Sequence, residues 1–188
     1  MSRAGVALNG TFDPTIVRKY AERIAQGRWF VNLGLPFDER EQDAVDTYVR
    51  VTGSDKVVRV TSWEQVHDIV TDARAQADAH AAANEVEQLK ARALAATNRG
   101  ALMTTMTTIV DGGLEIFFDR AGAAAHAAKI TDPAIIRLAA SAASEAVYRA
   151  ALAAAVGEPG THPFILRHEM FINGRWPLAR IDNGFFLF

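Results

Sequence analysis

The chain has 188 residues, a formal net charge of −2 with its histidines neutral, 49% hydrophobic and 22% charged residues, and no cysteine. These figures exclude a disordered tail, which buries too little apolar surface to fold, and any disulfide or cysteine–metal scaffold. A pI of about 6.2 without a basic stripe argues against a nucleic-acid partner.

Met1-Ser2-Arg3-Ala4-Gly5-Val6 lacks the apolar core of a secretory leader. Arg137, Glu145 and Arg149 interrupt the best candidate for a membrane span. The expectation is a soluble protein of a reducing cytoplasm with no membrane partner. Length and the absence of a Pro- or Ser-rich linker predict one domain over residues 1–188. The 35 alanines concentrate between Ala73 and Ala155, and aromatic residues gather at the two ends. Alanine orders into a helix without losing side-chain entropy. The predicted fold is therefore α+β and predominantly helical, with about five Ala-rich helices on a small antiparallel sheet that ends in a three-stranded meander.

Asp13-Pro14 supplies a capping side chain and a first-position proline, opening a helix that Gly27 ends. Trp29–Leu33 reads as a short strand. Asp38 to Glu41 has capping-box spacing and opens a helix whose buried stripe is Val45, Tyr48 and Val49. Lys56–Val60 is a β-branched strand. A long helix is predicted from Ser62 to Thr97, with its stripe weakening between Asp78 and Glu85. Residues 100–129 carry both a helical face and strand-favouring threonines; the spacing predicts a helix broken at Gly112-Gly113. Asp132-Pro133 repeats the helix start, and Gly157-Glu158-Pro159-Gly160 the stop.

Phe164–Ile172 reads as a strand, Asn173-Gly174 as a type I′ turn and Arg175–Ile181 as the returning strand. Asp182-Asn183-Gly184 follows as a loop with glycine in the left-handed position, where valine would be strained. That register puts His168 on an otherwise apolar core face, buried with a hydrogen-bonded partner. It collects Arg167, Glu169, Phe171, Trp176 and Arg180 on the opposite face, with Phe171 across from Trp176 and Arg167 across from Arg180. Aromatic anchors beside arginines are the composition of protein-binding hot spots. The like-charged arginines need a carboxylate from the protein's own helices or from a partner.

A search for chemistry finds no metal-ligand spacing, no Gly-x-Ser-x-Gly and no phosphate loop, so neither cofactor nor metal is expected. Asp38, Glu39, Glu41, Asp43 and Asp46 form an acidic cluster at a helix start, favoured there by the helix dipole and open to a basic partner. The leading functional expectation is a small binding protein that acts on another protein, of the immunity or antitoxin type. The alternatives are an enzyme or small-molecule binder with a pocket of scattered Asp, Glu, His and Arg, and a homo-oligomeric structural protein.

Overall fold

The computed structural model describes residues 11–188, so the leader question at Met1–Val6 lies outside the described residues. Local capping chemistry fixes the first two helices. Asp13 accepts from the Thr15 N–H at the start of α1 (Pro14–Ile24). Both arms of the Asp38–Glu41 capping box are made at the start of α2 (Glu39–Thr52), which ends on left-handed Gly53. The strand β1 (Lys56–Arg59) follows.

The helix expected from 62 to 97 is two helices, α3 (Trp63–Thr71) and α4 (Ala73–Ala96). Asp72 takes an extended backbone between them and caps α4 by accepting from the Arg74 N–H, so the chain turns before the point where the stripe weakens. Residues 99–127 form one helix, α5 (Arg99–Ala127), with no break at the glycines. A Cβ on Gly113 would lie 2.6 Å from the Phe117 ring and 3.0 Å from Ile24 Cδ1, so this glycine serves the close approach of α1 rather than a turn. Next comes α6 (Pro133–Ala155), whose ten buried residues are alanine except Val147 and Leu152.

The stretch expected as the first meander strand is a helix, α7 (Pro163–Ile172). His162 caps it by accepting from the Phe164 N–H, and Pro163 sits at the first position. Six of its residues are buried, and from Leu166 to Met170 burial alternates with the half-buried Arg167 and Glu169, a spacing that suits a strand as readily as this helix. Asn173-Gly174 is accordingly a helix end and not a hairpin. Gly174 at φ +93° donates to the Phe171 carbonyl and Arg175 to the Met170 carbonyl, the double closure of a Schellman motif. The Trp29–Leu33 strand is likewise replaced by a turn. Phe30 is left-handed at φ +63°, and this turn donates from Asn32 N–H to the Gly174 carbonyl.

The strands β2 (Pro177–Ile181) and β3 (Gly184–Leu187) pair antiparallel, and β1 pairs parallel to β3, giving a mixed sheet of order β1-β3-β2. Asp182, at φ +52°, takes the left-handed turn position expected of Gly184, which instead pairs with Ile181. The molecule is thus a predominantly helical α+β protein. Among the described residues it has seven helices rather than five, and its small sheet is mixed rather than antiparallel. Phe185 and Leu187 pack against Val45, Tyr48, Leu166 and Met170, while Ala179 and Ile181 pack against Ala75 on α4. The largest core joins α1, α5, α6 and α7 to Trp29, Phe30, Trp63 and Trp176.

The two central glycines of α5 should respond oppositely to alanine. Gly112 has nothing within 4 Å of a new Cβ, so Gly112→Ala should stabilise by about 0.5–1 kcal/mol through helix propensity. Gly113→Ala should destabilise by about 1–3 kcal/mol through overpacking against Phe117 and Ile24. Urea denaturation of both variants checks the contrast; equal shifts would remove the close-approach explanation.

Candidate functional site

The residues grouped on the expected sheet face meet in a different geometry. Phe171 and Trp176 are 1% and 2% exposed, packed on Phe30 and, for Trp176, on Trp63. Paired on a hairpin surface they would have been anchors; here they are core side chains. Glu169 turns away toward α1, where Arg23 Nη1 and Nη2 grip its two carboxylate oxygens at 2.8 and 2.9 Å.

Arg167 on α7 and Arg180 on β2 do converge, and a carboxylate of the protein's own helices stands between them. Asp78 on α4 accepts from Arg180 Nε at 2.8 Å and from the Arg180 backbone N–H at 3.2 Å. Arg167 Nη1 is 3.6 Å from the other Asp78 oxygen, and its Nη2 donates to the Pro177 and Leu178 carbonyls. Arg180 Nη1 also reaches the Thr52 carbonyl. The like-charge pair inferred from the sequence is therefore compensated within the monomer.

Next to this cluster a cleft of about 220 Å³ opens between α4, α6, α7 and β2. Phe171, Trp176 and Leu178 line its apolar side, with Ala79, Ala82, Ala142 and Ala146 along the helical walls. Its polar groups are Asp78, Arg167, Arg149, Glu145 and Gln76. Arg149 donates to Glu145 and lies 5.6 Å over the Phe164 ring. A second cavity shares Asp78, Ala82, Phe164 and Arg167, and continues to Tyr48, Arg180 and Glu85. There the Glu85 carboxylate is 3.1 Å from His162 Nε2. Apolar walls with a few convergent polar groups are the usual anatomy of a small-ligand site.

Sequence reasoning missed Asp78, Arg149 and Phe164. The signal for Asp78 was present in the loss of the apolar stripe after that residue: Ala75 and Asp78 face β2, whereas Val86, Leu89 and Ala93 beyond them join the helical core.

The acidic cluster divides in two. Asp38, Glu39, Asp43 and Asp46 are exposed on α2, whereas Glu41 is buried. Burial alone would raise the Glu41 carboxyl, but Arg175 Nε and Nη2, at 3.1 and 2.7 Å, outweigh it and hold it below the usual carboxylate range. Arg175 also donates to the Asn32, Leu35 and Pro36 carbonyls. Glu41 is thus part of the scaffold.

His168 is buried as expected, but on a helix and without the expected partner. Its ring lies 4.9 Å from the Tyr20 ring and 6.2 Å from that of Trp29, and Nδ1 is 3.5 Å from Glu169 Oε1. Among the described residues neither ring nitrogen makes a hydrogen bond. Burial pushes its pKa below the ordinary histidine value, keeping the ring neutral. Burial opposes the charge of Glu169, but the Arg23 guanidinium gripping both its oxygens holds the carboxyl low.

Among the described residues no group of three or more His, Asp or Glu is arranged to hold a metal ion, and no helix is long and apolar enough to cross a membrane. No protein-family model, curated protein or solved structure matches this chain.

Glu41→Ala should cost about 3 kcal/mol, because it strands a buried guanidinium. Alanine at Glu39, Asp43 or Asp46 should stay within about 0.5 kcal/mol; equilibrium unfolding separates the two classes, and equal costs would contradict the division. Stability also depends on pH through His168. His168 has a lower pKa folded than its ordinary 6.5, so as pH falls below that value the unfolded chain takes up the proton first and stability declines. Glu169 adds its own loss only below its ordinary 4.5. His168→Leu should flatten the stability profile between about pH 6.5 and 5, removing a slope of up to about 1.4 kcal/mol per pH unit. An unchanged slope would mean that the buried ring is not the group responsible.

Proposed function

We propose that the protein is a binding protein whose ligand is a small organic molecule held in the cleft between α4, α6, α7 and β2. The observation that carries this reading is the convergence of Arg149, Arg167 and Asp78 on an apolar hollow floored by Phe171 and Trp176. The hollow is concave and partly desolvated, and its polar groups come from three separate helices.

A second reading, that the protein binds another protein as an immunity or antitoxin-type inhibitor does, is favoured by the outer face of α5. Met103, Val110 and Leu114 are 57%, 42% and 44% exposed. With Thr107 they form one stripe, and Asp111 is the sole charged residue from Gly100 to Leu114. Exposed apolar stripes mark contact surfaces. A homo-oligomer would use the same stripe. The exposed acids of α2 offer a separate surface to a basic partner.

Ala142 is half-buried on the cleft wall, so Ala142→Phe fills the hollow from its rim. A ligand-observed NMR screen of small organic compounds should give hits on the wild type that Ala142→Phe loses, with melting temperatures of the two within about 3 °C. Hits indifferent to Ala142→Phe, or none, would contradict the cleft reading. Light scattering across a concentration series, with and without Val110→Lys, tests the α5 stripe as a self-contact.

A further inference from the structure

We infer that the cleft is built for an organic monoanion: an apolar body against Phe171, Trp176 and Leu178, with one carboxylate-type group on Arg167. The inference rests on the cleft being a ligand site and adds the chemistry of its occupant.

Unspent donors and local charge point to an anion. Asp78 is committed to Arg180, which takes one carboxylate oxygen through Nε and the other through its backbone N–H. Arg167 keeps only the longer 3.6 Å ion contact with it. Its Nη2 is used by the Pro177 and Leu178 carbonyls. Among the described residues, Nε and Nη1 of Arg167 make no hydrogen bond. The same holds for Nε and Nη1 of Arg149, whose Nη2 alone is spent, on Glu145. These two side chains are 19% and 15% exposed, so water satisfies their donors incompletely. A guanidinium with open donors at a partly desolvated wall favours an anion, because charge-assisted hydrogen bonds are about twice as strong as neutral ones.

Charge limits the valence. Over the cleft and the adjoining cavity Arg149, Arg167 and Arg180 balance Asp78, Glu145 and Glu85. Asp78 pairs closely with Arg180 and Glu145 with Arg149, which leaves Arg167 as the guanidinium of the three without a close carboxylate. It has room for a single negative charge, whereas a phosphate-like dianion would face three carboxylates without a second free cation. The lining sets the rest of the molecule. Arg167 anchors one side, while Phe171, Trp176 and Leu178 offer no polar side-chain partner on the other, apart from the indole N–H. A bare inorganic anion would leave that surface wet.

The test compares 2-naphthoate with its neutral, similarly shaped ketone 2-acetonaphthone by isothermal titration calorimetry on the full chain. The wild type should bind 2-naphthoate about tenfold tighter than the ketone. Arg167→Gln should bring the two within about twofold, and Ala142→Phe should abolish both. Should Arg167→Gln fail to fold, salt decides on the wild type: raising NaCl from about 0.05 to 1 M should weaken naphthoate and spare the ketone. Equal affinities on the wild type, or a preference that survives Arg167→Gln or high salt, would overturn the monoanion while leaving the cleft reading intact. Binding of neither probe would overturn both.

Discussion

The alanines of α6 set the dimensions of everything around them. This helix packs against α1, α4, α5 and α7, and eight of its ten buried residues carry only a methyl group. Small side chains let neighbouring axes approach to the short end of the usual 8–10 Å range. Four partners can therefore surround one helix in a chain of this size. Large side chains gather at the edge of the same core, where Trp29, Trp63, Phe171, Trp176 and Phe188 form an aromatic layer. The cleft lies where the two regimes meet. Ala142 and Ala146 face Ala79 and Ala82 across it, and methyl groups on both walls cannot close the gap that the aromatic floor leaves open.

Two arginine clusters show how the same chemistry yields scaffold in one place and a candidate site in another. Arg175 spends every donor, on Glu41 and three carbonyls of the 32–36 segment, and is 2% exposed. It locks the turn after α1, the start of α2 and the α7–β2 junction together. Arg167 sits eight positions earlier, also against carbonyls at the start of β2, yet keeps donors open because its nearest carboxylate is taken by Arg180. A saturated buried guanidinium holds a fold, whereas an unsaturated one at a cleft wall remains available to a ligand.

Much of the fold was legible where the signal was local. The Asp13-Pro14, Asp38–Glu41 and Asp132-Pro133 starts all appear where their side chains predict them, because a cap needs only residues two or three positions away. Phe164–Ile172 reads as a strand because Arg167 and Glu169 alternate with Leu166, His168 and Met170, and Asn173-Gly174 suits a Schellman helix end as well as a hairpin turn. Once that strand was assumed, the pairing of Phe171 with Trp176 followed, and both proved to be core. The grouping of Arg167 with Arg180, and their need for a carboxylate, survived the change of secondary structure. What no local pattern supplied was the identity of that carboxylate. Asp78 is 102 positions from Arg180, and only the tertiary fold brings them together.

The claim that the alanine-walled cleft is the working site has one direct test: methyl NMR of alanine-labelled protein titrated with 2-naphthoate. The account predicts saturable shifts at Ala82, Ala142 and Ala146, with the exposed Ala101 on α5 unmoved. Shifts confined to α5, or none at the cleft alanines at saturating probe, would contradict it.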